Sequence, residues 1–106
     1  MEQLTYMISK NDFFDFLKSL LPERTEQEVN MTIIDYKDNT RSAKKGYGKV
    51  LLTSNKNISV TFDNNKTYDI NYASDFRCRL LNLTRLKIFA IYCYWLEKEI
   101  QIVITT

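Results

Sequence analysis

The chain has 106 residues, 44% of them hydrophobic, which suits one globular domain and excludes global disorder. Its 15 basic and 13 acidic residues give a net charge of +2, which is small for a protein dedicated to nucleic acid. The chain contains no histidine, so the commonest general base and the commonest metal ligand are both absent.

The N-terminal residues show no charged segment followed by an apolar core, so no signal peptide is predicted. The longest apolar run, Ile88 to Leu96, is nine residues and is too short to cross a bilayer as a helix. We therefore expect a cytoplasmic protein with no membrane partner. The abundance of Phe, Tyr, Ile, Asn and Lys indicates an AT-rich coding sequence, which is typical of phages and mobile elements and also of low-GC bacteria.

The first predicted element is a helix over residues 10–21. Ser9 is a suitable N-cap, Asp12 completes a pair that resembles a capping box, and Pro22 ends the helix. The apolar stripe predicts packing against a sheet, and a partner-binding helix is the alternative. The apolar residues at helical spacing or on its flank are Phe13, Phe14, Phe16, Leu17, Leu20 and Leu21.

After the helix the hydrophobic period changes to two, which predicts successive β-strands. A three-residue loop 64–66 would pair Phe62 with Tyr68 and Val60 with Ile70, keeping the apolar faces together. The apolar positions of the four predicted strands are Val29, Met31 and Ile33; Val50 and Leu52; Ile58, Val60 and Phe62; and Tyr68, Ile70 and Tyr72.

Residues 37–46 are polar and carry Arg41, Lys44 and Lys45. We predict a loop here, and it is the best candidate in the chain for a mobile functional loop. The alternative is a solvated connection with no function of its own.

The last third of the chain is predicted to be extended. Residues 74–82 alternate and predict a strand, with a short helix capped by Ser74 as the alternative. Residues 85–95 are apolar almost throughout and rich in β-branched and aromatic types, which favours a central strand. One of its faces can take the helix, and the other needs a second layer, a curled sheet or a second molecule. A turn at 96–99 leads to a final strand over 100–104.

No catalytic or cofactor-binding motif is present. The only glycines, Gly46 and Gly48, lack the spacing of a phosphate-binding loop. Cys78 and Cys93 match no zinc pattern and are expected to be packing thiols, with a disulfide less favoured. We therefore expect no enzyme activity, no cofactor and no metal, and an enzyme using carboxylates or Cys93 is the less favoured alternative.

Basic residues concentrate in the second half, where residues 40–106 carry eleven bases and five acids. A hairpin of 75–81 and 85–95 around Asn82 would place Arg79 opposite Arg85 and Arg77 opposite Lys87, and would put the two cysteines on opposite faces. Like charges opposite each other are unfavourable unless an anion lies between them. The candidate binding residues are therefore Arg41, Lys44, Lys45, Arg77, Arg79, Arg85, Lys87, Phe89 and Trp95.

Cations beside aromatic side chains suit an acidic protein partner or single-stranded nucleic acid, and we favour the protein. The alternative is that these cations pair with acids of the N-terminal part, since residues 1–39 carry eight acids and four bases.

These patterns predict a single α+β domain over 1–106, with an N-terminal helix packed on a mostly antiparallel sheet of about five to seven strands. The expected function is that of a small non-enzymatic interaction protein, such as an inhibitor or accessory factor of a phage or mobile element, with a homodimer as one arrangement. The alternative is a nucleic-acid-binding module that uses a basic, aromatic-flanked sheet face.

Overall fold

The structure is a computed structural model that describes residues 5–21, 24–54, 56–63 and 66–105. Pro22, predicted to end the helix, and Asn64 and Asn65 of the predicted three-residue loop lie outside these ranges. Within them the chain forms one α-helix and an antiparallel sheet of eight strands, so the α+β class with an antiparallel sheet is confirmed.

Helix α1 spans Lys10–Leu20, and a short 3-10 turn spans Lys37–Asn39. The strands cross the sheet in the order β1-β6-β7-β8-β2-β3-β4-β5, which leaves β1 and β5 as its edges. No helix of the described part is long and apolar enough to cross a membrane. The strand bounds are β1 Thr5–Ile8, β2 Gln27–Asp35, β3 Ser42–Ser54, β4 Asn57–Phe62, β5 Thr67–Asn71, β6 Phe76–Asn82, β7 Leu86–Cys93 and β8 Lys98–Thr105.

Strand β1 was not predicted, and it precedes the helix. The predicted order, with the helix as the first element, is therefore wrong, and the sheet has one strand more than the upper predicted number. Four residues, three of them exposed, are too few to show a hydrophobic alternation. The segment is a strand because it pairs along β6, where Ile8 lies opposite Cys78.

The ends of α1 are closed by specific hydrogen bonds. The Ser9 side chain accepts a hydrogen bond from the backbone N–H of Asp12 at 3.1 Å, which satisfies one of the free donors of the first turn. At the other end, the N–H of Leu21 donates to the Leu17 carbonyl at 2.8 Å, and Leu21 is already extended.

Helix α1 is anchored to the sheet by an aromatic cluster. The Phe13 ring centroid lies 5.5 Å from that of Phe76 on β6 and 5.7 Å from that of Phe89 on β7, both in edge-to-face geometry. Phe14 packs edge-on against Phe13 at 5.0 Å. The stripe of α1 is therefore a core-packing face, as predicted, and its buried rings are not available to a partner.

The sheet face that carries α1, here called the inner face, holds the hydrophobic core. Val50, Ile58, Ile70, Ile91 and Ile102, which come from five different strands, are all fully buried. One helix about 10–12 Å across cannot cover eight strands spaced about 4.8 Å apart. The inner side chains of β3 to β5 are nevertheless buried in the same cluster as those of β6 to β8. This burial requires the sheet to curl.

Two connections differ from the predictions. Strand β3 begins at Ser42, opposite Asp35, so the second half of the predicted loop 37–46 is a strand. This part of β3 is held by backbone hydrogen bonds, which need no apolar side chains. The hydrophobic pattern of the sequence therefore does not indicate a strand here. Strands β4 and β5 pair Val60 with Tyr68, two residues from the predicted register, and a shift of two keeps the apolar faces matched.

Candidate binding surface

The pairing of β6 with β7 decides which predicted binding residues lie together. The two segments are both strands, as predicted, but Arg79 lies opposite Ala90 and Arg77 opposite Tyr92. The predicted pairing of arginine with arginine and of arginine with lysine is therefore wrong. No like-charge pair faces across this hairpin.

The reason is the position of the turn. Asn82 pairs with Lys87, and the N–H of Leu83 donates to the Leu86 carbonyl at 2.9 Å, so the loop lies beyond Asn82 rather than on it. Lys87 Nζ donates to the Leu83 carbonyl, and Arg85 is exposed within the loop. These two cations belong to the hairpin end and not to the face that carries the arginines of β6.

The observed register differs from the predicted one by five residues. A shift by an odd number of residues moves each side chain of the strand to the opposite face of the sheet. Phe89 consequently lies on the inner face, fully buried, with its ring centroid 6.4 Å from that of Phe16. The prediction that Phe89 lies on an exposed binding face is wrong. Trp95 is 47% exposed and lies in the turn between β7 and β8.

The basic residues at 41–45 do not form one group either. Lys44 and Lys45 are neighbours in β3, so their side chains point to opposite faces: Lys44 inward and Lys45 outward. Arg41 is exposed and precedes the strand. On the outer face, Lys45 shares a row with Arg79, but β7, β8 and β2 lie between them.

The face opposite α1, here called the outer face, has no element of the described chain packed on it. Leu81, Ile88 and Val103 lie side by side across β6, β7 and β8, and Met7 on β1 is 53% exposed. A shallow depression of about 230 Å³ follows these strands. It is lined by Thr5, Arg79, Leu81, Ile88, Ala90, Glu99 and Gln101.

An arginine and three tyrosines form a connected cluster at one end of the outer face. The Arg77 guanidinium carbon lies 5.7 Å from the Tyr94 ring centroid, within cation–π range. The Tyr94 ring packs edge-on against Tyr92 at 4.9 Å, and Tyr92 is 5.9 Å from Tyr36. Arg77, Tyr36, Tyr92 and Tyr94 are called the Arg77 cluster below.

Sequence reasoning missed the three tyrosines. Tyr92 and Tyr94 lie in a run that is apolar at almost every position, so the sequence did not indicate which face of the sheet they occupy. Tyr36 lies just beyond β2, far from both in the sequence. The only available signal was the alternation of Tyr92 and Tyr94, which have the same strand parity. Using it would have required the correct register of the hairpin.

The arginines of β6 are not neutralised by acids of the N-terminal part, within the residues that the structure describes. Arg77 forms no ion pair there, and Arg79 Nη2 donates to Thr5 Oγ1 at 2.7 Å. The N-terminal acid with a basic partner is Asp35, which pairs with Lys98 on the inner face at 2.6 Å. Within the described residues, neither Arg77 nor Arg79 therefore forms an ion pair on the outer face.

The cysteines and carboxylates offer little chemistry. Cys78 and Cys93 are free, buried and on the same inner face, which corrects the predicted opposite faces. Burial raises the pKa of Cys93 to about 12 and that of Cys78 further still, so neither is a thiolate at neutral pH. The described residues include no group of three or more His, Cys, Asp or Glu side chains placed to hold a metal.

Comparison of the chain with protein-family models, with curated proteins and with solved structures finds no match.

Proposed function

We propose that the chain is a non-enzymatic binding protein whose outer sheet face docks an acidic protein partner. The observation that supports this most is the position of Arg77 and Arg79, exposed and without an ion pair in the described part of the chain, beside the partly exposed apolar side chains of Ile88 and Val103.

The Arg77 cluster has the make-up of an interaction hot spot. Arginine and tyrosine are the residue types that most often dominate binding energy at protein interfaces. The Tyr94 ring restricts Arg77, so less side-chain entropy is lost when a carboxylate binds. The planar guanidinium keeps its N–H groups available for a bidentate contact with Asp or Glu.

The apolar side chains beside the arginines supply apolar surface that a partner can bury, which a charged patch alone does not provide. Ile88 and Val103 are half-buried neighbours on β7 and β8, Leu81 beside them is buried, and Met7 on β1 is 53% exposed. Exposed apolar surface that is rimmed by polar residues is typical of an interaction site. Glu99 lines the same depression, and its carboxylate accepts a hydrogen bond from Gln101 Nε2 at 2.8 Å. These apolar side chains therefore lie next to an excess of positive charge.

The test uses two charge-reversal double variants with a matched change in charge. Arg77→Glu/Arg79→Glu alters the proposed surface, and Lys45→Glu/Lys49→Glu alters the same sheet face at β3. A protein captured from lysate by the unmodified chain is purified, and its Kd is measured by calorimetry for all three forms. We expect the β6 double variant to weaken binding roughly a hundredfold and the β3 double variant to change it by less than about threefold. Equal losses in both would refute the assignment of the surface.

Nucleic acid and a second copy of the chain are the competing occupants. If nuclease treatment removes the captured material, or if log Kd varies steeply with log salt, the partner is nucleic acid and the proposal is wrong. If sizing shows a homodimer that the β6 double variant converts to monomer, the outer face is a self-interface, and the proposal is wrong in its partner.

A further inference from the structure

A second concave site lies on the inner face, at the end of the curled sheet where the core-forming side chains give way to charged ones. It is a half-open cavity of about 460 Å³, within the size range of small-molecule sites. Its lining residues come from β2, β3, β8 and the β4–β5 hairpin. They are Ile33, Asp35, Ser42, Ala43, Lys44, Phe62, Lys66, Tyr68 and Lys98.

The apolar part of the cavity is continuous with the core. Phe62 is 5% exposed, while Ile33 and Tyr68 are half-buried and pack against the core cluster. The three side chains lie on the inner face of three different strands. They form an apolar wall that could hold a ring or a short chain.

The polar part of the cavity is cationic. Lysines 44, 66 and 98 line it together with one carboxylate, that of Asp35. Asp35 is engaged by Lys98 at 2.6 Å, whereas Lys44 forms no ion pair within the described residues. The formal charge of the lining is therefore positive, and Lys44 contributes a charge that has no ion pair within the described residues.

We propose that this cavity binds a small organic anion with an apolar body, such as an aryl carboxylate or sulfonate. Phe62 and Tyr68 contact the body, and the Lys44 ammonium binds the anionic group, with Lys98 held in position by Asp35. The site is separate from the proposed docking surface, because Phe62, Tyr68 and Lys44 lie on the opposite face of the sheet.

The probe is anilinonaphthalene sulfonate, a fluorescent aromatic anion, and its uncharged counterpart is phenylnaphthylamine, which has the same body without the sulfonate. We expect saturable binding of one sulfonate probe per chain, with an affinity at least about tenfold higher than that of the neutral probe. Equal affinity for the two probes, or no saturable binding of the sulfonate, would overturn the proposal.

Variants of two adjacent lysines locate the site. Lys44→Gln removes a charge from the cavity, and Lys45→Gln removes the same charge from the outer face. We expect the first to weaken sulfonate binding roughly tenfold and the second to leave it within about twofold. Asp35→Asn should strengthen binding, because it removes the negative charge from the lining.

If Lys45→Gln weakens binding as much as Lys44→Gln, the probe responds only to the overall charge of the protein, and the assignment of the binding site to this cavity is wrong. If probe-induced NMR shifts cluster on Ile88 and Val103 instead of Ile33 and Tyr68, the probe occupies the outer face, and the proposal is equally wrong. Unchanged chemical-shift dispersion in each variant establishes that the fold is intact.

Discussion

Lys98 and Asp35 lie opposite each other on β8 and β2, with Lys98 Nζ 2.6 Å from Asp35 Oδ2. The N–H of Lys37 donates to the other carboxylate oxygen at 3.1 Å. The hydrogen bond from Lys98, followed by that from Lys37, holds the pKa of Asp35 below its usual value. Both side chains line the cavity of the inner face.

This pair predicts a specific dependence of stability on pH. Because the pKa of Asp35 is lower in the folded chain than in the unfolded one, the ionised carboxylate stabilises the fold above about pH 4, and this contribution is lost as the pH falls through the folded-state pKa. The urea midpoint of the unmodified chain should exceed that of Asp35→Asn at about pH 7, and the gap should narrow as the pH falls below about 4 through the folded-state pKa. A gap that is constant with pH would show that Asp35 titrates normally.

Phe89 and Trp95 should behave oppositely when truncated. Phe89→Ala leaves a cavity among the rings that anchor α1, and we expect it to lower the free energy of unfolding by about 3–5 kcal/mol. Trp95→Ala removes a half-exposed side chain from a turn and should change it by less than about 1 kcal/mol. Denaturant titration of both variants measures the difference, and comparable losses would contradict the described burial of Phe89.

The two glycines of β3 should differ in their tolerance of a methyl group. A Cβ on Gly48 would lie 2.6 Å from the backbone oxygen of Thr61 and 2.6 Å from the Met31 methyl, so Gly48→Ala should destabilise the fold by about 1–3 kcal/mol. A Cβ on Gly46 would lie 2.7 Å from the exposed carboxylate of Asp63, which can move aside, and 3.2 Å from the tip of the Phe62 ring, so we expect a smaller loss there. Gly46→Ala is therefore the control, and equal thermal shifts for the two variants would contradict the close packing at Gly48.

Neither cysteine should react while the chain is folded. Cys78 and Cys93 are buried, and burial raises both thiol pKa values. They are diagonal neighbours on paired strands, about 7–8 Å apart at Cα, which is beyond ordinary disulfide reach. We expect negligible labelling by a thiol reagent at about pH 8, two reactive thiols after denaturation, and no change of Tm with reductant. Rapid labelling of the native chain would contradict the packing described here.

The local hydrophobic pattern was sufficient to predict the helix and those strands that bury side chains on one face only. The Phe13 to Leu21 spacing and the Ser9 cap correspond to a helix at Lys10–Leu20, and the alternation around Val60 and Phe76 corresponds to strands. Strand β1 and the first residues of β3 could not be predicted in this way, because they are polar or exposed and are strands only through their pairing with β6 and β2.

The candidate surface was predicted only in part. Arg77 and Arg79 lie on one exposed face, as their spacing indicates, but their neighbours were wrong because the turn of the hairpin was assigned to Asn82. A run that is apolar on every residue, such as that around Phe89, contains no signal for which side faces inward.

The sequence by itself determined the class of the fold, because hydrophobic spacing and helix capping depend on residues that are close together in the chain. Only the tertiary structure decided which partner each charge meets: Arg77 the Tyr94 ring on the outer face, and Lys98 the Asp35 carboxylate on the inner face. The physical reason is that strand register depends on turn geometry and on pairing between distant segments, and a shift by an odd number of residues exchanges the two faces of a strand.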